Sequence, residues 1–263
     1  MKALEIQAPY SSFLDRLRTA GERILLLDYD GTLSPFTADR AQAKPYAEIP
    51  GLLREIMAAG TRIVLVTGRA ARELAQLCGL DPHPEIWGSH GAEHLMPDGT
   101  YSLSPALAGY REGLDSAAAY LRGRGFDSQV EVKPGGVALH WRGLTPGNAA
   151  DLKEQVLQVW MPLLIRHQLS LLEFDGGLEL RAPGFNKGAA VRAVLATAAP
   201  DAAVAYLGDD NTDEDAFQAL RGHGLAVLVR PEARATAAEI WLQPPHELIQ
   251  FLQDWLRSSR GDA

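Results

Sequence analysis

The chain has 263 residues, 46% of them hydrophobic and 22% charged, with a formal net charge of −8. A chain of this length can bury a sizeable core, and this composition excludes a disordered or fibrous class. The acidic balance excludes nucleic-acid backbones and anionic membranes as main partners.

The stretch MKALEIQAPYSSFLDRLRTA is broken by charge throughout and lacks the apolar core of a signal peptide. No run approaches the roughly 18 apolar residues of a membrane span. The single cysteine, Cys78, cannot form an internal disulfide and reads as a buried small hydrophobe near a helix end. A monomeric cytoplasmic protein without a membrane or nucleic-acid partner is the expectation.

Apolar runs at 24–28, 62–67, 85–88, 203–208, 225–229 and 239–242 read as strands. Helical patterns separate them: YAEIPGLLREIMAAG, closed by Gly60, then RAARELAQLCGL, NKGAAVRAVLATAAP and TDEDAFQALRGHG. Strands alternating with helices predict an α/β protein with a Rossmann-like parallel sheet core. The middle of the chain has another rhythm. After the turn MPDGT come a helix around 105–121, a hairpin SQVEVKP/VALHWRG turning at Gly135–Gly136, a helix near 148–165, and a second hairpin LSLLEF/GLELRA. That order predicts a smaller α+β domain over 98–183, inserted into a core formed by 1–97 and 184–263.

Three predicted strands end in polar residues at the edge where open parallel sheets bind ligands. These are Asp28 and Asp30 in LLLDYDGT, Thr67 in IVLVTGR, and Asp209, Asp210 and Asp213 in VAYLGDDNTDED; Lys187, opening the helix NKGAAV, points to the same end. Residues two apart on an extended chain share a side, so Asp28 and Asp30 can face one target. Carboxylates gathered without compensation repel one another, and a hard divalent cation such as Mg²⁺ removes the difficulty. Any one acidic end alone reads equally well as a turn or helix cap; the joint occurrence does not.

In order, DYDGTL, VTGR, NKG and GDDNTDED resemble the four motifs of the haloacid dehalogenase superfamily of phosphohydrolases, and the insert lies where that superfamily places a cap. More narrowly, GSHGAE at 88–93, VEVKPGGVALHWR, GLELR and GDDNTDEDAF resemble the trehalose-6-phosphate phosphatase family, over about residues 22–245. The resemblance implies a Mg²⁺-dependent phosphatase acting on a small sugar phosphate through an aspartyl-phosphate. It implies Asp28 as nucleophile and Asp30 as general acid/base. The same resemblance gives Mg²⁺ held by Asp28, the Asp30 main-chain carbonyl, Asp209 and Asp213, and phosphoryl oxygens held by Thr67, the Gly68 amide and Lys187. Arg69, at the helix start that follows Thr67, is counted with the substrate-binding residues, and His90 and Glu93 belong to a loop facing phosphate or sugar.

The leaving group must be read elsewhere. Glu131 and Lys133, His140 and Arg142, and Glu179 and Arg181 each share a strand face in the insert. A face with both carboxylates and cations suits sugar hydroxyls, which donate and accept, although it also suits plain cross-strand ion pairs. The family resemblance assigns Glu131, Lys133, His140, Arg142 and Glu179 to sugar recognition. Trp141 stands where an aromatic, commonly Tyr, is usual, and Asn211 fills a variable place, which leaves the exact sugar open. A phosphatase of another sugar or glycosyl phosphate, a phosphomutase, and a non-catalytic sugar-phosphate sensor are the alternatives. HGAEH at 90–94 has the spacing of an inverted zinc-protease motif but sits between glycines and a turn, where a loop is expected. DDNTDED lacks the Gly and Glu of a calcium loop, and no GxxxxGK occurs for nucleotide phosphates.

Overall fold

The computed structural model describes residues 8–37, 42–122, 124–126, 128–141, 143–174 and 176–261. Internal contacts divide the chain into two compact units, Met1–Tyr101 with Asn186–Ala263, and Ser102–Phe185.

The first unit opens with α1 (Ala8–Thr19), β1 (Arg23–Leu27), α2 (Ile49–Ala58), β2 (Thr61–Val66), α3 (Ala71–Leu77), β3 (Glu85–Gly88) and β4 (Glu93–Leu95); β5 (Tyr101–Leu103) begins at its last residue before the division. The second contains α4 (Arg111–Leu121), β6 (Val130–Lys133), β7 (Gly136–His140), α5 (Pro146–His167), β8 (Ser170–Phe174) and β9 (Gly177–Arg181). The first resumes with α6 (Lys187–Leu195), β10 (Ala203–Gly208), α7 (Glu214–Leu220), β11 (Leu225–Val229), β12 (Ile240–Leu242) and α8 (His246–Arg260).

An eight-stranded sheet runs in the order β12-β11-β10-β1-β2-β3-β4-β5. The pairings from β12 through β3 are all parallel. The run Ile24–Leu27 is apolar without interruption because both faces of β1 are covered: Leu25 and Leu27 enter the core under α1, α2 and α8, whereas Ile24 and Leu26 enter the core under α6 and α7. Register fixes the site. Leu27 is level with Leu65 on β2 and Leu207 on β10, so Asp28, Thr67 and Asp209 leave the sheet at one edge within a residue or two of the same height. The order reverses between β1 and β10, the switch point where such sheets open a crevice.

Several elements differ from the sequence reading. HGAEH is not wholly loop: Ser89 and His90 turn at positive φ, and β4 then pairs antiparallel with β3, setting Glu93 opposite Gly88 and His94 opposite Trp87. The first hairpin turns at Pro134–Gly135, because Gly136 already pairs with Lys133 and begins β7. Helices α1 and α8 complete the outer layer; α8 buries Leu248, Phe251, Leu252, Trp255 and Leu256 along one stripe. Among the described residues no helix is long and apolar enough to cross a membrane.

In the second unit the sheet order is β6-β7-β9-β8, every pairing antiparallel. Val137, Leu139, Leu178 and Leu180 point to one face and pack with Leu114, Leu121, Val156 and Trp160 of α4 and α5. The opposite face carries polar side chains together with Ala138, Leu172 and Phe174.

Candidate active site

Asparagine 186 caps α6, its side chain accepting the Ala189 amide at 2.8 Å, so the helix begins at Lys187. The Lys187 Nζ donates to Oδ1 of Asp28 at 2.6 Å and to Oδ1 of Asp213 at 2.8 Å, with all three side chains at most 4% exposed. Asp213 is a hub: Tyr206 Oη donates to its Oδ1 at 2.6 Å, and the amides of Asp209 and Asp210 donate to its Oδ2 at 3.1 and 3.0 Å. Carboxylate oxygens of Asp28, Asp209 and Asp213 lie within 4.8 Å of one another.

The electrostatics of this cluster suit a bound cation. Burial pushes the Asp28 carboxyl up to about 7 against the pull of Lys187, and Asp213 adds to the rise. Burial followed by the charges of Asp28 and Asp213 pushes Asp209 up to about 10. For Lys187 burial works against the charge, but Asp213 and Asp28 outweigh it and hold its proton more tightly than usual. The Asp209 Oδ1 is buried and has no hydrogen-bond partner among the described residues. An orphan carboxylate oxygen beside two further carboxylates is the donor set that a hard, oxygen-seeking cation fits. Gly31 makes the close approach possible: at φ 88°, a Cβ there would lie 2.2 Å from Asp209 Oδ2.

Asp30 stands apart from that cluster in its bonding. Its two oxygens accept from Nε and Nη2 of Arg69, both at 2.7 Å. The Thr67 hydroxyl accepts the Arg69 amide at 3.1 Å, which leaves its own hydrogen to donate. The Thr67 carbonyl accepts the His90 amide at 2.9 Å, tying the loop after β2 to the turn after β3. The His90 ring lies over Gly68, where a Cβ would meet it at 2.8 Å. Glu93 is 2% exposed and turned inward. Its oxygens accept from Ser89 Oγ, from the Ala71 amide at 3.3 Å and from Tyr101 Oη at 3.0 Å, so this carboxylate caps the start of α3. His94 turns away to Glu85 and stacks on Trp87, and HGAEH forms no helical pair of imidazoles.

In the second unit, register puts Glu131 opposite Ala138 and Ala138 opposite Glu179, Lys133 opposite Gly136, and His140 opposite Gly177. Glu131, Lys133, His140, Glu179 and Arg181 therefore share the face turned from α4 and α5. They pair across strands: Lys133 with Glu179 at 2.8 Å, and His140 Nε2 with Glu131 Oε2 at 3.0 Å. Gly136 makes room for the first pair, since a Cβ there would lie 2.6 Å from Glu179 Oε1. Arg142 lies outside the described residues.

Residues 26–243 match the family described as Trehalose-phosphatase. The chain belongs to that family. A trehalose-phosphate phosphatase of Mycobacterium marinum is 36% identical over 241 residues, covering 86% of this chain and 60% of the relative. The chain spans about three fifths of the length of the mycobacterial trehalose-phosphate phosphatases it matches. Among solved structures, the C-terminal domain of Candida albicans trehalose-6-phosphate phosphatase superposes with a TM-score of 0.72 at 22% identity, over 95% of this chain and 96% of that one. A haloacid dehalogenase-like hydrolase from Bacteroides thetaiotaomicron gives 0.60 at 17%, over 88% and 98%. At those identities the likeness is one of fold.

For a trehalose-phosphatase family chain the sequence reading missed several residues that shape the site. Tyr206 is a lone polar group in the buried run AVAYLG, and a buried hydroxyl needs a partner, which is the signal that points to Asp213. Thr32 donates to Asp28 Oδ2 at 3.4 Å. Arg230 and Arg234 donate to the main-chain carbonyls of Asp209 and Asp210 at 3.2 and 2.8 Å, bracing the acidic loop from the far side. Their distance along the chain from that loop hides them in sequence.

Proposed function

We propose that this chain is a Mg²⁺-dependent sugar-phosphate phosphatase that hydrolyses trehalose 6-phosphate to trehalose and inorganic phosphate. The observation that carries the reading is the buried cluster of Asp28, Asp209 and Asp213 around Lys187 at the carboxyl edge of β1 and β10. Family membership and the names of the mycobacterial relatives support the substrate.

Asp28, Asp209 and Asp213, with the Asp30 carbonyl, would hold the Mg²⁺. When bound, the cation offsets repulsion between an anionic nucleophile and an anionic substrate. Asp28 attacks phosphorus and takes the phosphoryl group, splitting hydrolysis into two easier steps. Asp30 gives a proton to the departing sugar oxygen and later takes one from the attacking water. Thr67 Oγ, the Gly68 amide and Lys187 Nζ hold the phosphoryl oxygens; each preorganised donor of this kind contributes about 3 kcal/mol in comparable sites. The polar face with Glu131, Lys133, His140 and Glu179 is proposed to read the sugar, together with Arg142. A cytoplasmic location goes with this reading.

The test is phosphate release from a panel of sugar phosphates, with and without Mg²⁺. Trehalose 6-phosphate should be turned over fastest, a chelator should abolish release, and added Mg²⁺ should restore it. Asp28→Asn should fold normally and release no phosphate; substantial turnover by that variant rules out the covalent route.

A further inference from the structure

Arg69 follows Thr67 in the run VTGR, where phosphate contact is the first expectation, yet its surroundings are protein. The residue is 1% exposed. Besides the two 2.7 Å bonds from Nε and Nη2 to Asp30, its Nη1 donates to Glu73 Oε1 at 2.6 Å, one helical turn further along α3. Its Cζ lies 5.7 Å from the centroid of the Tyr29 ring, and Tyr29 is itself pinned by a 2.6 Å bond from its hydroxyl to the Ala43 carbonyl. Burial, Glu73 and the Tyr29 ring fix the guanidinium, and a two-point fork passes its orientation on to the carboxyl it grips. Asp30 is a third exposed and, among the described residues, has no comparable anchor of its own.

We infer that Arg69 is a positioning residue for Asp30 and not a phosphate ligand: it holds the carboxyl in the orientation from which a proton reaches the leaving sugar oxygen. The inference rests on the phosphatase reading above. In the step it serves, an Asp28 oxygen bonds to phosphorus and the bond from phosphorus to the sugar oxygen breaks, its electron pair going to that oxygen. The Asp30 proton passes to the same oxygen, leaving a neutral sugar hydroxyl and an Asp30 carboxylate in the Arg69 fork.

A leaving group that is stable as an anion does not need that proton, and this separates positioning from general support of the fold. The experiment measures Mg²⁺-dependent phosphate release by the full chain from trehalose 6-phosphate and from 4-nitrophenyl phosphate. Arg69→Lys keeps the charge and loses the fork. Its kcat on the sugar phosphate should fall about 10²-fold, the order a general acid supplies, and on the aryl phosphate by less than about tenfold. Asp30→Asn/Arg69→Lys should be no slower on the sugar phosphate than Asp30→Asn alone, because the arginine works through the aspartate. Glu73→Gln, on the outer side of the same arginine, should show the same substrate bias on a smaller scale and serves if Arg69→Lys does not fold. Equal losses on both substrates overturn the inference, as does a double variant whose defects multiply. A raised KM on both substrates with unchanged kcat would make Arg69 a phosphate contact. A native chain inert to both phosphates overturns the phosphatase reading, and the role of Arg69 with it.

Discussion

Lys187 and Asp28 stand 159 positions apart in the chain and 2.6 Å apart in space, both side chains only 4% exposed. Asp213 completes the arrangement from a third segment. One ammonium thus faces two carboxyl groups, with the Asp209 carboxyl beside them, a set that a further cation would balance.

Removing the ammonium should therefore harm stability as well as turnover. Lys187→Met leaves Asp28 and Asp213 buried without their cation, and breaking a buried pair by removing one partner costs about 3–5 kcal/mol. Chemical denaturation should show that loss without metal, and saturating Mg²⁺ should recover part of it by binding the native state. A variant equally stable with and without Mg²⁺ would argue against a cation at this cluster.

The Gly31 position tests the same site through the backbone. Gly31→Ala brings a methyl group to within 2.2 Å of the Asp209 carboxylate at a φ that side chains rarely adopt. Strain of about 1–3 kcal/mol is expected. Displacement of Asp209 should also raise the Mg²⁺ concentration needed for half-maximal phosphate release by tenfold or so, since one site geometry is lost. Titration of activity against Mg²⁺ measures it, and an unshifted midpoint would contradict the placement of Asp209 in the cation site.

Glu85 gives the pH dependence of stability away from the site. Burial raises its proton affinity, but the bonds from His94, Arg62 and Trp87 outweigh burial and hold the carboxyl below its ordinary range. A depressed folded-state value means that ionised Glu85 favours the fold in full above the unfolded-chain value, about pH 4.3, and that this contribution fades as pH falls through the folded value. Glu85→Gln should cost about 1–2 kcal/mol at neutral pH, discounted because Arg62 is a third exposed. The gap between native chain and variant, measured by denaturant unfolding, should close on acidification. A gap that widens at low pH would reverse the sign of the linkage.

The polar sheet face is tested by substrate choice. Glu179→Ala removes a partner of buried Lys133, and turnover of trehalose 6-phosphate should fall far more than that of 4-nitrophenyl phosphate. Glu131→Ala, which removes one partner of His140, should bias the substrates in the same direction. Equal loss on both would mean that the face only supports the fold.

Much of this was legible in sequence where the physics is local. Runs such as Ile24–Leu27 and Leu225–Val229 are apolar at every position because a central parallel strand is covered on both faces, so the oily run itself reports the strand. The acidic ends that follow Ile24–Leu27 and Ala203–Gly208, and the Asn186 cap before Lys187, are likewise written in neighbouring residues. Glu93 was harder: a carboxylate in a glycine-rich stretch invites a ligand-facing role, and only the turn of β4 back along β3 brings Ser89, Ala71 and Tyr101 to it.

By itself the sequence determined the strand and helix rhythm, the insert of different rhythm, and the set of residue types that suit phosphoryl transfer, since each follows from hydrophobic period, turn chemistry and motif order within short windows. Only the tertiary structure decided the partners: that Arg69 grips Asp30, that Tyr206 and two amides converge on Asp213, that Lys133 meets Glu179 above a glycine. Pairing depends on strand register and on which distant side chains share one low-dielectric space, and neither is encoded in any single stretch of chain.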